Sequence, residues 1–191
     1  MLHELLPTAD HVAFLVNSNY PVTAFDLEDM KAAASDMALK VSTFNASSEN
    51  DLDAAFAAIV NAQTKALIVQ NEPYFNNRRD QIVGLAARYA IPAIYHRREV
   101  VLAGGLISYG SPLTEAYHQV GMYTGRILKG EKPADLPVQQ PTKLELAINL
   151  RTAKALGLEV PPTLLARAAS GHAAAARAPE AAILSPHRQA T

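Results

Sequence analysis

The 191-residue chain contains no cysteine, which removes disulfides, thiolate zinc sites, iron–sulfur clusters and cysteine nucleophiles together. That absence leaves the compartment open, since a cysteine-free chain is stable on either side of a membrane. A large charge of one sign is also missing. Seventeen basic residues face 18 acidic ones for a formal charge of −1, which argues against a nucleic-acid-binding or polybasic membrane surface. No run of 18 apolar residues occurs, and Met-Leu-His-Glu-Leu-Leu-Pro at the start lacks the basic and apolar regions of a signal peptide. As written, the chain is expected to stay cytoplasmic. Hydrophobic residues make up 49% and charged residues 18%, enough to bury a core, and the length fits one ordinary domain or one domain carrying a substantial appendage.

The residues themselves alternate between two periods. His11 to Val16 is an apolar run halted by Asn17-Ser18-Asn19-Tyr20-Pro21, the signature of a buried strand and its exit turn. Thr23 and Asp26 stand at capping-box spacing, and Leu27, Met30, Ala34 and Met37 recur at helical spacing. The unit then repeats. Strands are expected at Val41–Phe44, Ala66–Val69 and Pro92–Tyr95, with helices near 24–39, 49–62 and 77–90. Ser48 and Asp51 form a second capping box, and Leu52, Phe56, Ile59 and Val60 line one helix face. Strands alternating with helices of this length demand right-handed crossovers, hence an α/β fold: a Rossmann-like parallel sheet with flanking helices.

The rhythm changes after Glu99. Gly104-Gly105 precede a short strand, Leu106–Tyr109; Ser111 and Pro112 open a helix that runs to Leu128, where Gly130 supplies a left-handed end. Lys132 to Thr142 carries three prolines and connects to an alternating strand around Leu144–Leu150. A short helix to Leu156 ends at Gly157. From Ala169 the composition narrows to Ala, Arg, His, Pro and Ser, with no sustained period. The change of rhythm predicts that residues 106–128 stand away from the first sheet, in an incomplete second lobe. Leu106–Tyr109 would then expose a strand edge prone to self-association.

Catalytic signatures are scarce. The six histidines never fall at i,i+4 spacing, so no metal is expected; Gly104, Gly105 and Gly110 make no dinucleotide fingerprint, and no phosphate loop or nucleophile elbow occurs. No cofactor follows from the sequence. Glu72 beside Pro73 reads first as a solvated loop acid. The strand exits say more, because ligands of open α/β sheets bind at the carboxyl ends of strands. There stand Asn17, Tyr20, Asn45, Glu72, Tyr74, Tyr95 and Arg98, a set suited to a small polar ligand with an apolar part. Asn45 reads more simply as a turn former.

NSNYP, DLDAAFAAIVNAQTKALIVQNEPYF, IPAIYHRREVVLAGGLISYG and YTGRILKGEKPADLPVQQPTKLELAINLRTAKALGLEVPPTLLARA follow one another in the order of a known family. Over residues 5 to 168 the chain resembles ABC-transporter substrate-binding proteins of periplasmic binding-protein type I, in the branch with tryptophan-like binders. Arg126 stands where lysine is usual. The resemblance implies two α/β lobes closing on a small-molecule ligand without chemistry, then docking on ABC permease subunits in the periplasm. It implies a C-terminal-type lobe over 8–100 and a returning segment and hinge over 101–168, while the Ala-rich tail over 169–191 replaces the acidic ending usual in the family. The signal peptide and first half of the N-terminal lobe that members carry have no counterpart, so binding is expected to be impaired. Carried over by motif, the ligand-binding candidates are Asn17, Tyr20, Glu72, Tyr74, Tyr95, Ser108 and Tyr109. The competing readings are a small flavodoxin-like enzyme and the sensory domain of a regulator.

Overall fold

The computed structural model describes residues 1–139 and 143–170. The first unit comprises β1 (His11–Val16), α2 (Thr23–Asp36) and β2 (Lys40–Asn45), preceded by a short α1 (Leu2–Leu5). Then come α3 (Glu49–Asn61), β3 (Ala66–Val69), α4 (Pro73–Asn77), α5 (Arg79–Arg88) and β4 (Ala93–Tyr95). The remainder is α6 (Arg98–Leu102), β5 (Ile107–Gly110), α7 (Leu113–Leu128), β6 (Glu145–Ile148), α8 (Leu150–Ala155) and α9 (Pro162–Ser170).

All six strands form one sheet in the order β2-β1-β3-β4-β5-β6. The β1–β2, β1–β3 and β3–β4 pairs are parallel, as the crossover rhythm requires. The placement of Leu106–Tyr109 differs from expectation. Ile107 and Ser108 pair in parallel with Ile94 and Tyr95 of β4, while β6 runs antiparallel along the other side of β5. This strand therefore belongs to the first sheet and is interior. It presents no free edge for self-association, because β6 supplies the hydrogen-bond partners that an edge would lack. The cause is non-local: the chain leaves through α7 and comes back, so the strand that covers β5 lies some 35 residues downstream.

Two apolar clusters flank the sheet. On one face Leu52, Phe56 and Ile59 of α3 and Ile82, Leu85 and Ala86 of α5 pack on Leu15, Leu67 and Tyr95. Elsewhere α1 and α9 join Leu106, Leu146, Ile148 and Ala153 through Leu5, Leu164 and Ala168. Arg167 of α9 meets Glu4 of α1 at 2.9 Å. Helix α3 begins with the expected box: Ser48 accepts from the Asp51 amide while the Asp51 carboxylate accepts from the Ser48 amide.

Two other cap expectations fail. At α2 the cap is Val22 with no side-chain bond, since Thr23 and Asp26 are drawn into the site described below. At α7 the cap is Pro112, again without a side-chain bond, rather than Ser111. Helix α7 also buries none of its residues. Tyr117, Val120 and Ile127 are exposed, and Leu128 is 82% exposed, although its apolar stripe is well formed. Thus α7 leaves the sheet even though β5 does not. The tail expected from Ala169 lies, beyond Ser170, outside the described residues.

Candidate ligand site at the carboxyl edge of the sheet

A buried amide organises this edge. Gln70, directly after β3, is 4% exposed. Its Oε1 accepts from the Asn17 backbone N–H at 2.9 Å. Its Nε2 donates to Thr23 Oγ1 at 2.8 Å and to Asp26 Oδ2 at 2.7 Å, and Thr23 Oγ1 donates in turn to the Asn17 carbonyl at 2.6 Å. Every polar atom of this amide that the fold removes from water is repaid by a protein partner, so the exit loop of β1 is locked to the exit of β3. Within the loop Asn17 Oδ1 accepts from the Asn19 amide, and Asn45 Oδ1 accepts from the Ser18 amide at 2.7 Å. Asn45, read from the sequence as a turn former, is instead the last residue of β2, and its side chain fastens the exit loop of β1.

The loop so held presents Tyr20 to solvent space on both sides. One cavity, about 500 Å³, opens beside α2. Phe14, Ile68 and Ile94, adjacent in register across β1, β3 and β4, line it from the sheet. Tyr20, Asn71, Tyr95, His96 and Tyr109 line it at the strand exits, and Asp26 and Asp29 line it from α2. A second cavity of about 320 Å³ shares Tyr20 and Asn71 and is otherwise lined by residues of α4, α5 and α6 and their approaches, including Arg79 and Arg97, and by Leu113 at the start of α7. Each volume falls in the range of small-ligand sites, and the lining combines aromatic surface with a few amides and charges.

The sequence-derived candidates divide. Tyr20, Tyr95 and Tyr109 come together on the larger cavity, and Tyr20 and Glu72 on the smaller. Glu72 is only 3% exposed, which corrects the reading of a solvated acid. It is the N-cap of α4, its oxygens accepting from the Tyr74 and Phe75 amides at 2.8 and 2.7 Å. Burial is tolerable because these amides satisfy the carboxylate. Ser108 is 1% exposed inside β5, flanked by Tyr95 and Ala147, and lines neither cavity. Asn17 is buried in the loop, and Tyr74 packs half-buried beside Phe75 with Arg78 over its ring at 6.0 Å. Arg98 turns away to Glu145 at 3.3 Å.

Tyr95 fits tightly. A Cβ on Gly105 would lie 2.8 Å from its ring and 2.9 Å from the Val100 carbonyl, so only glycine allows this approach. Its hydroxyl is buried without a hydrogen-bond partner among the described residues, and burial pushes the phenol well above the usual tyrosine range. It remains a neutral donor at physiological pH. The neighbouring His96 ring lies against Gly110, where a side chain would collide with it. Burial, then the charge of Arg97, holds the His96 imidazole below its ordinary pKa, so it is neutral at pH 7.

Gln70, Asn71, His96, Arg79 and Arg97 are the lining and supporting residues that sequence reading passed over. For Gln70, Asn71 and His96 the available signal was position, immediately after β3 and β4. For the arginines it was adjacency of those two strands, which only pairing reveals.

The fold has solved counterparts. A conserved domain protein from Vibrio cholerae O1 biovar El Tor superposes with a TM-score of 0.81 at 23% identity, covering 87% of this chain and 56% of the other. An ABC domain from Streptococcus pneumonia, in complex with L-Trp, gives 0.79 at 24%, covering 87% and 58%. A ligand-free, open substrate-binding protein with adhesive properties from Clostridium difficile gives 0.64 at 22%, covering 84% and 54%. The chain thus spans a little over half the length of these structures, and at such identities they establish the fold alone. No curated protein sequence matches. The model of the ABC transporter substrate binding proteins, however, matches residues 1–172, a span that contains every described residue, both cavities and all the strand exits. On that match, over a fold shared with substrate-binding structures, the chain belongs to the ABC transporter substrate-binding protein family.

Proposed function

We propose that this chain is a solute-binding lobe of an ABC-type importer. It offers one wall of a ligand cleft, binds without chemistry, and hands its solute to membrane permease subunits on the outer side of the membrane. The observation that carries this reading is the convergence of Tyr20, Asn71, Tyr95, His96 and Tyr109 on one open cavity at the carboxyl ends of the strands. The accessible Tyr20 and Tyr109 rings beside the Asn71 amide favour a small solute with a flat apolar part and polar ends, such as an aromatic amino acid. Binding follows from what the lining offers: hydrogen-bond donors and acceptors, a neutral imidazole and ring faces.

With one wall, affinity is expected near the millimolar range, about −4 kcal/mol. The chain has no tryptophan, so the fluorescence of added L-Trp reports binding without background. Titration with L-Trp should give a saturable change in ligand emission. Amide resonances of Tyr20, Asn71, His96 and Tyr109 should shift, and Tyr20→Ala should abolish the response. An absence of both signals for L-Trp, and of the amide shifts for L-Phe, at roughly tens of millimolar overturns the assignment.

A further inference from the structure

Arginine occurs as a doublet at two places on the carboxyl edge, Arg78-Arg79 at the start of α5 and Arg97-Arg98 at the start of α6. The strands that lead to them, β3 and β4, are hydrogen-bonded neighbours. In each doublet one guanidinium is tied to the body of the fold. Arg78 meets Glu49 at 3.0 Å, and Arg98 meets Glu145 at 3.3 Å. The other member of each doublet, Arg79 and Arg97, lines the 320 Å³ cavity.

Neither of these two has a structural task of that kind. Arg97 has no ion pair among the described residues, and Arg79 reaches only its exposed neighbour Asp80 at 3.6 Å. Acids do line the same cavity. Glu72 is spent on capping α4, which leaves Glu99, in the first turn of α6, as the one carboxylate there without such a commitment. Asn71 and Asn76 add amides. Two guanidiniums in one concave wall repel each other, and a planar anion that accepts from both relieves this.

We infer that this cavity is the carboxylate subsite of the solute, with Arg79 and Arg97 as the specificity-determining donors. Tyr20 and Asn71, common to both cavities, carry the ligand over into the larger one, where its apolar part lies against the sheet. Glu99 is then available to an ammonium group on the same molecule, so the ligand class is an amino carboxylate rather than a neutral sugar or a simple amine. This assignment rests on the solute-binding reading above and refines it.

Phenylacetate and phenylacetamide, which differ only in the charge of one end, separate the two. Titrated into the full chain, phenylacetate should shift the side-chain Nε–H resonances of Arg79 and Arg97, but not those of Arg78 and Arg98. Phenylacetamide should bind about tenfold more weakly, a ratio equivalent to about 1.4 kcal/mol. Arg79→Gln and Arg97→Gln should each weaken phenylacetate about tenfold and leave phenylacetamide unchanged. Arg97→Lys, which keeps the charge without the fork, should recover part of the loss. Both side chains reach solvent, so the amide spectrum of each variant should match the parent and exclude misfolding.

Equal binding of the two probes, or phenylacetate affinity indifferent to Arg97→Gln, overturns the carboxylate subsite while shifts at Tyr20 and Asn71 keep solute binding intact. If neither probe nor L-Trp perturbs any residue of either cavity, both readings fall.

Discussion

Gln70 donates through Nε2 to Asp26 Oδ2 at 2.7 Å, across 44 residues of sequence, and so joins the exit of β3 to the first turn of α2. The same amide receives the Asn17 N–H, which makes it the keystone of the loop that carries Tyr20. Gln70→Ala should lower stability by about 1–3 kcal/mol, because buried groups at Asn17 and Thr23 lose their partner. Urea unfolding measures the loss. Hydrogen exchange at residues 17–20 should accelerate more than in β3; uniform acceleration would show that the amide has no local role.

The apolar residues of α3 and α7 look alike in sequence but differ in burial. Leu52→Ala in α3 removes a fully buried side chain and should cost about 2–5 kcal/mol. Val120→Ala in α7, 60% exposed, should stay within about 0.5 kcal/mol of the parent. Amides of α7 should also exchange faster than those of β1 and β3, since no side chain of α7 is buried against the sheet. Equal protection of α7 and β1 would contradict this arrangement.

His96 should titrate below the ordinary histidine value, followed by the Cε1 proton resonance. Burial and the Arg97 charge favour the neutral ring in the folded state, so the folded pKa is depressed below the unfolded one. The stability it contributes is present above the unfolded pKa, near 6.5, and is lost as pH falls through the folded value. Arg97→Gln should raise the His96 pKa by removing one of its two causes. A histidine titrating above 6.5 in the parent would refute the buried environment.

Gly105→Ala tests the packing of Tyr95. The added methyl meets both the aromatic ring and the Val100 carbonyl closer than carbon atoms normally approach, and backbone must move to make room. The expected cost is about 1–3 kcal/mol by thermal or urea unfolding. The resonances of His96 should shift as well, since Tyr95 precedes it. A neutral substitution would mean that the α6–β5 turn is looser than its geometry.

Much of this molecule is a local property of its sequence. Apolar runs ended by Asn, Pro and Gly placed the strands at His11–Val16 and Ala66–Val69 to the residue. The Ser48–Asp51 box opened α3, and Gly130 and Gly157 closed their helices in the left-handed conformation, at φ of 102° and 69°. Such features depend on residues within a turn or two of each other, and the helical crossovers between them then make the first four strands parallel. Partner choice was decided elsewhere. Whether Ile107–Gly110 pairs with β4 or leaves with α7 turns on backbone hydrogen bonds to Ala93–Tyr95 and Glu145–Ile148, which no local pattern encodes. The same holds for the site. Thr23 and Asp26 have the spacing of a cap, yet Gln70 outbids the helix amides for both, because a buried amide left unpaired costs more than a solvated helix end. Which arginine of each doublet faces the cavity was likewise settled by the distant carboxylates Glu49 and Glu145, which hold the other one down.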